Sequence, residues 1–355
     1  MQSLIEHDVN TLAFEILDIV RRAQGIVYAN AGFGPQECDY SVIHATPRWR
    51  LRTYEGDQKG PPILIVAAPF KQPYIWDLTP SVSPVRYCLT RGFRVFLLEW
   101  APPSPDGDAG LADYADEPIG QSIAHIREAA GGEKPFLVGH SMGGTFAAIH
   151  CALDPRAAQG LVLLGAPLSF QRGSSVFRDA ITKLPAAALT DTNILAGSFL
   201  SQASAMASPN AFIWSRMRDA LYSAGDPLAM QIHQRVERWT LDEMPLSGRL
   251  IREVWQWLYY EDRFCRGVLE IRGRKLGPAD VAIPVLAVAN DPDEIAPLQS
   301  VLPFLQAMRH RNYRTITYPG ESGVALRHVC VLAGRQALKE IWPQIVEWVT
   351  ESAQL

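Results

Sequence analysis

The chain has 355 residues, 48% of them hydrophobic, and a net charge of −4. That is enough apolar material for a large core, arranged as one big domain or as a core carrying an inserted cap. With charges of both signs interspersed, there is no global positive field to gather nucleic acid and no like-charge run long enough for a tail.

At the start of the chain Val9, Leu12, Phe14, Ile16, Leu17, Ile19 and Val20 recur at helical spacing. This predicts an amphipathic helix, docked on the protein's own core. Glu6, Asp8, Glu15 and Asp18 interrupt the stretch, which is therefore not expected to be a secretory signal. Nowhere is there a run of about 18 apolar residues to cross a bilayer. A cytoplasmic protein without a transmembrane span is expected. Trp49 to Tyr54 then alternates as an antiparallel strand does. Four continuous apolar runs follow: ILIVAAPF (Ile63 to Phe70), FRVFLLEW (Phe93 to Trp100), FLVGH (Phe136 to His140) and LVLLGAP (Leu161 to Pro167). Runs of this kind predict strands buried on both faces, as in a parallel sheet. Helical segments lie between them, at Val82 to Thr90, Ile119 to Ala130 and Gly143 to Leu153, so the alternation predicts an α/β fold.

From about Ser169 to Pro278 the alternation stops. This stretch holds Trp214, Trp239, Trp255 and Trp257 and is broken at Pro185, Pro209, Pro227 and Pro245. It reads as a mainly helical cap lining an apolar tunnel. Alternation resumes with IPVLAVAN (Ile283 to Asn290), a helix from about Pro297 to Arg309, and YRTITYP (Tyr313 to Pro319). The expected organisation is a core in two parts, 1–168 and 279–355, interrupted by an insert over 169–278. The five cysteines, Cys38, Cys88, Cys151, Cys265 and Cys330, are odd in number and lack CxxC spacing. They read as small buried hydrophobes of a reducing compartment, and neither a metal nor a cofactor is expected.

Gly139-His140-Ser141-Met142-Gly143 is a G-x-S-x-G sequence set between the strand PFLVGH and the small-residue helix GGTFAAIHCAL. That strand–turn–helix setting predicts a nucleophile elbow with Ser141 at its apex, and with it the alpha/beta-hydrolase fold. The glycines two before and two after the serine are read as positions where a side chain would strike neighbouring backbone. A serine hydroxyl needs a base, and in this fold an acid and then a histidine follow it in the chain. His328 lies in a loop after the last strand, whereas His310 sits in a basic run with Arg309, Arg311 and Arg314 that reads as a solvated face. The acid should follow IPVLAVAN, where Asp291, Asp293 and Glu294 all qualify and spacing does not choose between them. His140 reads as packing at the elbow. An oxyanion hole needs two backbone N–H groups. Met142 supplies one; for the other Pro69 is excluded because it has no N–H, leaving Phe70 as the first choice and Ala68 in reserve.

The wider pattern resembles the polyhydroxyalkanoate synthase family, particularly its short class III type. The resemblance is carried by ILIVAAPFKQPYIWDLTPSVSPVRYCLTRGFRVFLLEW, by LADY at Leu111 to Tyr114, by GVLEIRGRKLGPADVAIPVLAVANDPDEIAP and by LRHVCVLAGRQALKEIWPQIVEWV. It implies that the acid is Asp293, which stands before Glu294-Ile295-Ala296-Pro297, and that the second oxyanion donor is Phe70. It also implies a substrate class: an acyl ester or thioester, whose acyl group is carried by coenzyme A, by a carrier protein or in a short hydroxyacyl oligomer. One departure stands out. The synthases carry a cysteine at the elbow, and this chain has Ser141. A thiolate is both a good nucleophile and a good leaving group, suited to passing a chain on repeatedly. A serine ester is a poorer donor to another acceptor, yet water resolves it. Cys151 does not replace the missing thiol, being about ten residues along the helix. The expectation is therefore a serine hydrolase, an esterase or thioesterase. The alternative is an acyltransferase, or a synthase-like enzyme with a serine nucleophile that works with a second subunit. A homo-oligomer is compatible with either.

Overall fold

The structure is a computed structural model that describes residues 2–56, 59–104, 108–183 and 194–354, with side chains from residue 12 onward. Pro185 and the side chain of Val9 lie outside the described residues. Eight strands form the central sheet: β1 (Tyr40–Ala45), β2 (Trp49–Tyr54), β3 (Pro62–Val66), β4 (Arg94–Trp100), β5 (Phe136–His140), β6 (Gly160–Leu164), β7 (Val285–Asn290) and β8 (Tyr313–Tyr318). Their spatial order is β1-β2-β4-β3-β5-β6-β7-β8. β2 runs antiparallel to both β1 and β4. From β4 to β8 every neighbouring pair is parallel.

The apolar runs explain this layout. Every residue of β3, β5, β6 and β7 is buried. Alternate residues feed two cores, one on each face. Leu64, Val66, Leu137 and Leu163 point into one, while Ile63, Ile65, Val138 and Val162 point into the other. Helices must therefore cover both faces, as parallel crossovers require. β1 is mostly exposed. It has no apolar face to announce it in the sequence.

The chain steps from β3 outward to β4, then returns past β3 to β5 and continues to β6 on the other side. The loops after β3 and β5 thus part in opposite directions. In open α/β sheets this leaves a crevice at the carboxyl ends of the two strands, where ligands bind.

Between β6 and β7 the described residues form helices Val176–Ile181, Gly197–Ala207, Ser215–Ser223, Pro227–Leu241 and Gly248–Glu253, with wider π-turns at Asn210–Trp214 and Val254–Tyr260. Two small antiparallel pairs occur as well: Ile194–Leu195 with Leu246–Ser247, and Leu269–Ile271 with Arg274–Leu276. The second pair lies inside the span read as an insert but packs with the sheet core. Leu269, Ile271 and Leu276 are buried in the same cluster as Phe146 of the elbow helix, and the Arg274 guanidinium donates to the Leu153 carbonyl at 2.6 Å.

The N-terminal helix, Gln2–Tyr28, docks on the chain itself, against helices Gly197–Ala207 and Pro227–Leu241 of this inserted segment. Phe14 meets Phe199 edge to face, with centroids 5.2 Å apart. The Asp18 carboxylate accepts from the N–H groups of Gly197 and Ser198 at 3.2 and 2.8 Å, at the start of helix Gly197–Ala207. Arg21 donates to Glu243 at 2.7 Å and to the Thr240 carbonyl at 2.9 Å. The apolar spacing specified the helix but not its burial: Phe14 and Leu17 are half-buried, while Leu12, Ile16, Ile19 and Val20 are exposed, and polar contacts that spacing does not record decided which surface it met. No helix among the described residues is long and apolar enough to cross a membrane.

Candidate active site

Ser141 joins β5 to helix Met142–Leu153 with φ 54° and ψ −130°, a conformation that costs an L-residue energy and persists only where its surroundings enforce it. The enforcement is local. The Ser141 N–H donates to the Leu164 carbonyl of β6 at 3.0 Å, and the Ser141 carbonyl accepts from Gly144 at 3.0 Å. The glycines leave room for this turn. A Cβ at Gly139 would lie 2.4 Å from the Gly144 Cα, and one at Gly143 would lie 2.1 Å from the Val66 carbonyl oxygen. Gly144 is equally constrained, since its Cβ would fall 2.5 Å from that of Ala166. This constraint on Gly144 is not visible in the local sequence, because its neighbour across space, Ala166, follows a different strand.

The contact of Gly143 with Val66 and Ala67 brings the elbow against the loop that leaves β3. Trp100 Nε1–H holds the Ala67 carbonyl at 2.6 Å. Phe70 follows in a turn, and its own carbonyl accepts from Met244 N–H of the inserted segment at 3.2 Å. Phe70, in the turn after β3, and Met142, at the start of the helix after β5, therefore flank the crevice between β3 and β5.

Asp293 lies just after β7 and His328 in the loop after β8. His328 Nδ1 and Asp293 Oδ2 are 2.6 Å apart. The carboxylate's other oxygen accepts from Ile295 N–H at 2.9 Å. Burial alone would raise the Asp293 pKa. The His328 imidazole and the N–H groups of Ile295 and Ala296 outweigh it and hold the carboxyl below its usual range. An anionic acceptor at Oδ2 fixes the imidazole proton on Nδ1, which leaves Nε2 free to act as a base. His328 Nε2 is buried and makes no hydrogen bond among the described residues. The ring sits at the elbow: its Cε1 would be 3.5 Å from a Cβ on Gly165, next to Leu164, which holds the Ser141 N–H. Asp291 is exposed, and Glu294 turns away to accept from Ser208 Oγ at 2.5 Å. His310 is exposed, away from the site.

Two neighbours hold the histidine loop. His140 Nε2 lies 2.9 Å from the His328 carbonyl. A carbonyl only accepts, so Nε2 carries the proton. Burial first, and then the adjacent His328 ring, push the His140 pKa down to about 3, which keeps it a neutral donor. Asn290 Nδ2 donates to the Arg327 carbonyl at 2.9 Å. Neither role was legible beforehand, for each is a contact to backbone far away in sequence.

A cavity of about 20 Å³ adjoins Asp293 and His328, bounded by Asn210, Ser215, Ile295 and Leu326 among others. An open groove of about 340 Å³ continues past Glu294 toward Ser174 and Val176. None of the four insert tryptophans lines either space. Trp214 is exposed, while Trp239 is buried and donates to the Gln72 carbonyl at 2.8 Å. Cys151 is fully buried in the elbow helix, where burial raises its thiol pKa. Among the described residues no group of three or more His, Cys, Asp or Glu is placed to hold a metal ion.

Residues 79–320 match the family described as alpha/beta hydrolase fold. The poly(3-hydroxyalkanoate) polymerase subunit PhaC of Haloferax mediterranei is 25% identical over 94% of this chain and 67% of its own length. The subunit of the same name from Allochromatium vinosum is 24% identical over 96% of this chain and 97% of its own. Among solved structures, a membrane phospholipase A described as a bacterial virulence factor superposes with TM-score 0.53 at 13% identity, covering 100% of both chains. A thermophilic esterase from Thermogutta terrifontis gives TM-score 0.52 at 15% identity, over 89% of this chain and 99% of its own. At such identities the structural likenesses speak for the fold alone. The sheet order, the elbow at the end of β5 and the family match converge: this chain belongs to the alpha/beta hydrolase fold family and, along nearly its whole length, is similar to the poly(3-hydroxyalkanoate) polymerase subunits.

Proposed function

We propose that the protein is a serine enzyme that takes an acyl group from an ester or thioester onto Ser141 and releases it to water. The observation that carries this reading is the strained serine at the elbow beside a buried His328–Asp293 pair 2.6 Å apart. In the first half-reaction His328 Nε2 removes the Ser141 proton as Oγ bonds to the acyl carbon. The carbonyl oxygen gains charge, which the N–H groups of Met142 and Phe70 stabilise together with the N-terminus of the elbow helix. The bond to the leaving thiol or alcohol breaks, and His328 returns the proton to it. In the second half-reaction water attacks the ester on Ser141 by the same route, giving free acid and the regenerated serine. Asp293 stays ionised and holds the ring. The segment 169–278 serves as the cap, with the groove past Glu294 as the acyl path.

The substrate class follows from the likeness to the polymerase subunits: an acyl or hydroxyacyl thioester of coenzyme A or a carrier protein, or a short hydroxyacyl oligomer. That same likeness, extending over 94% and 96% of the chain, favours a second reading, in which a hydroxyl of a growing chain replaces water as acceptor and a partner subunit takes part. A panel of acyl-CoAs, 3-hydroxyacyl-CoAs and aryl esters separates the two. Free thiol with an equal amount of free acid supports hydrolysis. Free thiol with oligomeric ester supports transfer. A fluorophosphonate that leaves Ser141 unlabelled refutes both.

A further inference from the structure

Asp219 belongs to the inserted segment, on helix Ser215–Ser223, yet its carboxylate is spent on the histidine loop. Oδ1 accepts from Gly323 N–H and Oδ2 from Ala325 N–H, each at 2.7 Å. Oδ2 is also 2.7 Å from Nδ1 of His233, on the neighbouring helix Pro227–Leu241. Asp219 is 8% exposed and His233 is 3% exposed, so water does not compete for these bonds. The backbone they hold is strained. Ala325 has φ 57°, and the Leu326 N–H closes on the Val324 carbonyl at 2.6 Å. That is a γ-turn of the positive-φ kind, rare and costly for a residue with a Cβ. His328 follows three residues later.

The same stretch of insert holds the acid loop. Ser208 Oγ donates to Glu294 at 2.5 Å, and Asn210 Nδ2 donates to the other oxygen of that carboxylate. Asn210 and Ser215 also bound the cavity beside Asp293 and His328. One segment therefore touches both loops of the pair as well as the space a substrate would enter.

We propose that Asp219 is a positioning residue for His328, and that it makes the placement of the base conditional on the seating of the inserted helix. With the helix in place, the carboxylate satisfies two buried N–H groups and keeps the strained turn closed, so His328 Nδ1 reaches Asp293. With the helix displaced, both N–H groups lose their acceptor and the turn has no reason to stay strained. The inference rests on the reading of His328 as the base.

The test uses Asp219→Ala, Ala325→Gly and the double variant, with two readouts. Hydrogen exchange of the 320–328 segment, in protein without substrate, reports the loop itself. Steady-state turnover of an ester reports the base. Asp219→Ala should speed exchange in that segment and lower kcat roughly 30- to 100-fold with KM nearly unchanged, as expected of a displaced base. Ala325→Gly should restore about tenfold of that loss, because glycine takes φ 57° without strain. Should Asp219→Ala not fold, Asp219→Asn, which keeps one acceptor, should show the same two changes at smaller size. Unchanged exchange in 320–328, an unchanged kcat, or a loss that Ala325→Gly leaves untouched would each overturn the proposal. A wild-type protein inactive on every ester and thioester would instead defeat the functional reading, while the exchange data would still decide whether Asp219 holds the loop.

Discussion

Asp293→Asn tests the chemistry most sharply, because the structure dictates how the amide must lie. Oδ1 accepts from Ile295 N–H at 2.9 Å at a buried position. The asparagine oxygen must take that position or leave a buried N–H unpaired, at a cost of about 1–3 kcal/mol. Its NH2 group then faces His328 Nδ1, where the carboxylate oxygen now sits at 2.6 Å. An NH2 group only donates, so Nδ1 becomes the acceptor and the ring proton moves to Nε2. A proton on Nε2 disables the atom that must receive the serine proton. A tautomer error of this kind lowers kcat by about 10³- to 10⁴-fold, or about 4–5.5 kcal/mol of barrier, with geometry and KM little changed. Asp291→Asn, at an exposed position, should stay within about twofold of wild type. The assay is the initial rate of p-nitrophenyl ester cleavage and of thiol release from acyl-CoA, with circular dichroism confirming the fold. An Asp293→Asn enzyme within about tenfold of wild type, beside a crippled Asp291→Asn enzyme, would refute the reasoning.

Other outcomes follow from the elbow and from the buried acid. Gly143→Ala places a Cβ 2.1 Å from the Val66 carbonyl oxygen, a backbone atom of a central strand. It should cost about 4 kcal/mol or more, read as a large fall in Tm or as loss of soluble protein. Gly225→Ala, with nothing within 4 Å of its Cβ, should shift stability by less than about 1 kcal/mol, and equal effects at the two sites would contradict the elbow account. The depressed Asp293 carboxyl contributes stability that is present above the unfolded carboxyl value of about 3.9 and lost as pH falls through its lower folded value. Chemical denaturation from pH 7 to 3 should therefore show the wild-type advantage over Asp293→Asn holding down to about pH 4 and shrinking below it. An advantage that grows on acidification would mean that the carboxyl is not held ionised.

Much of this was legible in the sequence, for physical reasons that differ from element to element. Strands buried on both faces must be apolar throughout, so β3 to β7 announced themselves as runs. The elbow was legible because its turn tolerates no side chain two residues before or after Ser141, which fixes glycine at 139 and 143. β1 was not legible, because an exposed edge strand needs no pattern. The helical reading of 169–278 missed the Leu269–Leu276 hairpin, whose short strands are too brief for a period to register. The docking of the N-terminal helix turned on Asp18 and Arg21, whose partners lie about 180 and 220 residues away in the chain. The choice among Asp291, Asp293 and Glu294 came from family resemblance and not from spacing, since three acids within four residues are equally placed until the backbone turns one of them inward. The tryptophans of the insert have no common role to read: Trp214 is exposed, Trp255 and Trp257 are half-buried and Trp239 is buried, and aromatic density in a sequence does not tell these environments apart.

The central claim is an acyl group held on Ser141 and released to water. Intact-protein mass spectrometry after rapid acid quench of wild type and Ser141→Ala with a 3-hydroxyacyl-CoA tests it directly. The account predicts one acyl adduct per chain on wild type, mapped to Ser141 and chased to free 3-hydroxy acid on standing, with none on Ser141→Ala. An adduct that survives in Ser141→Ala, or a wild-type adduct that lengthens into polymer instead of yielding free acid, would contradict it.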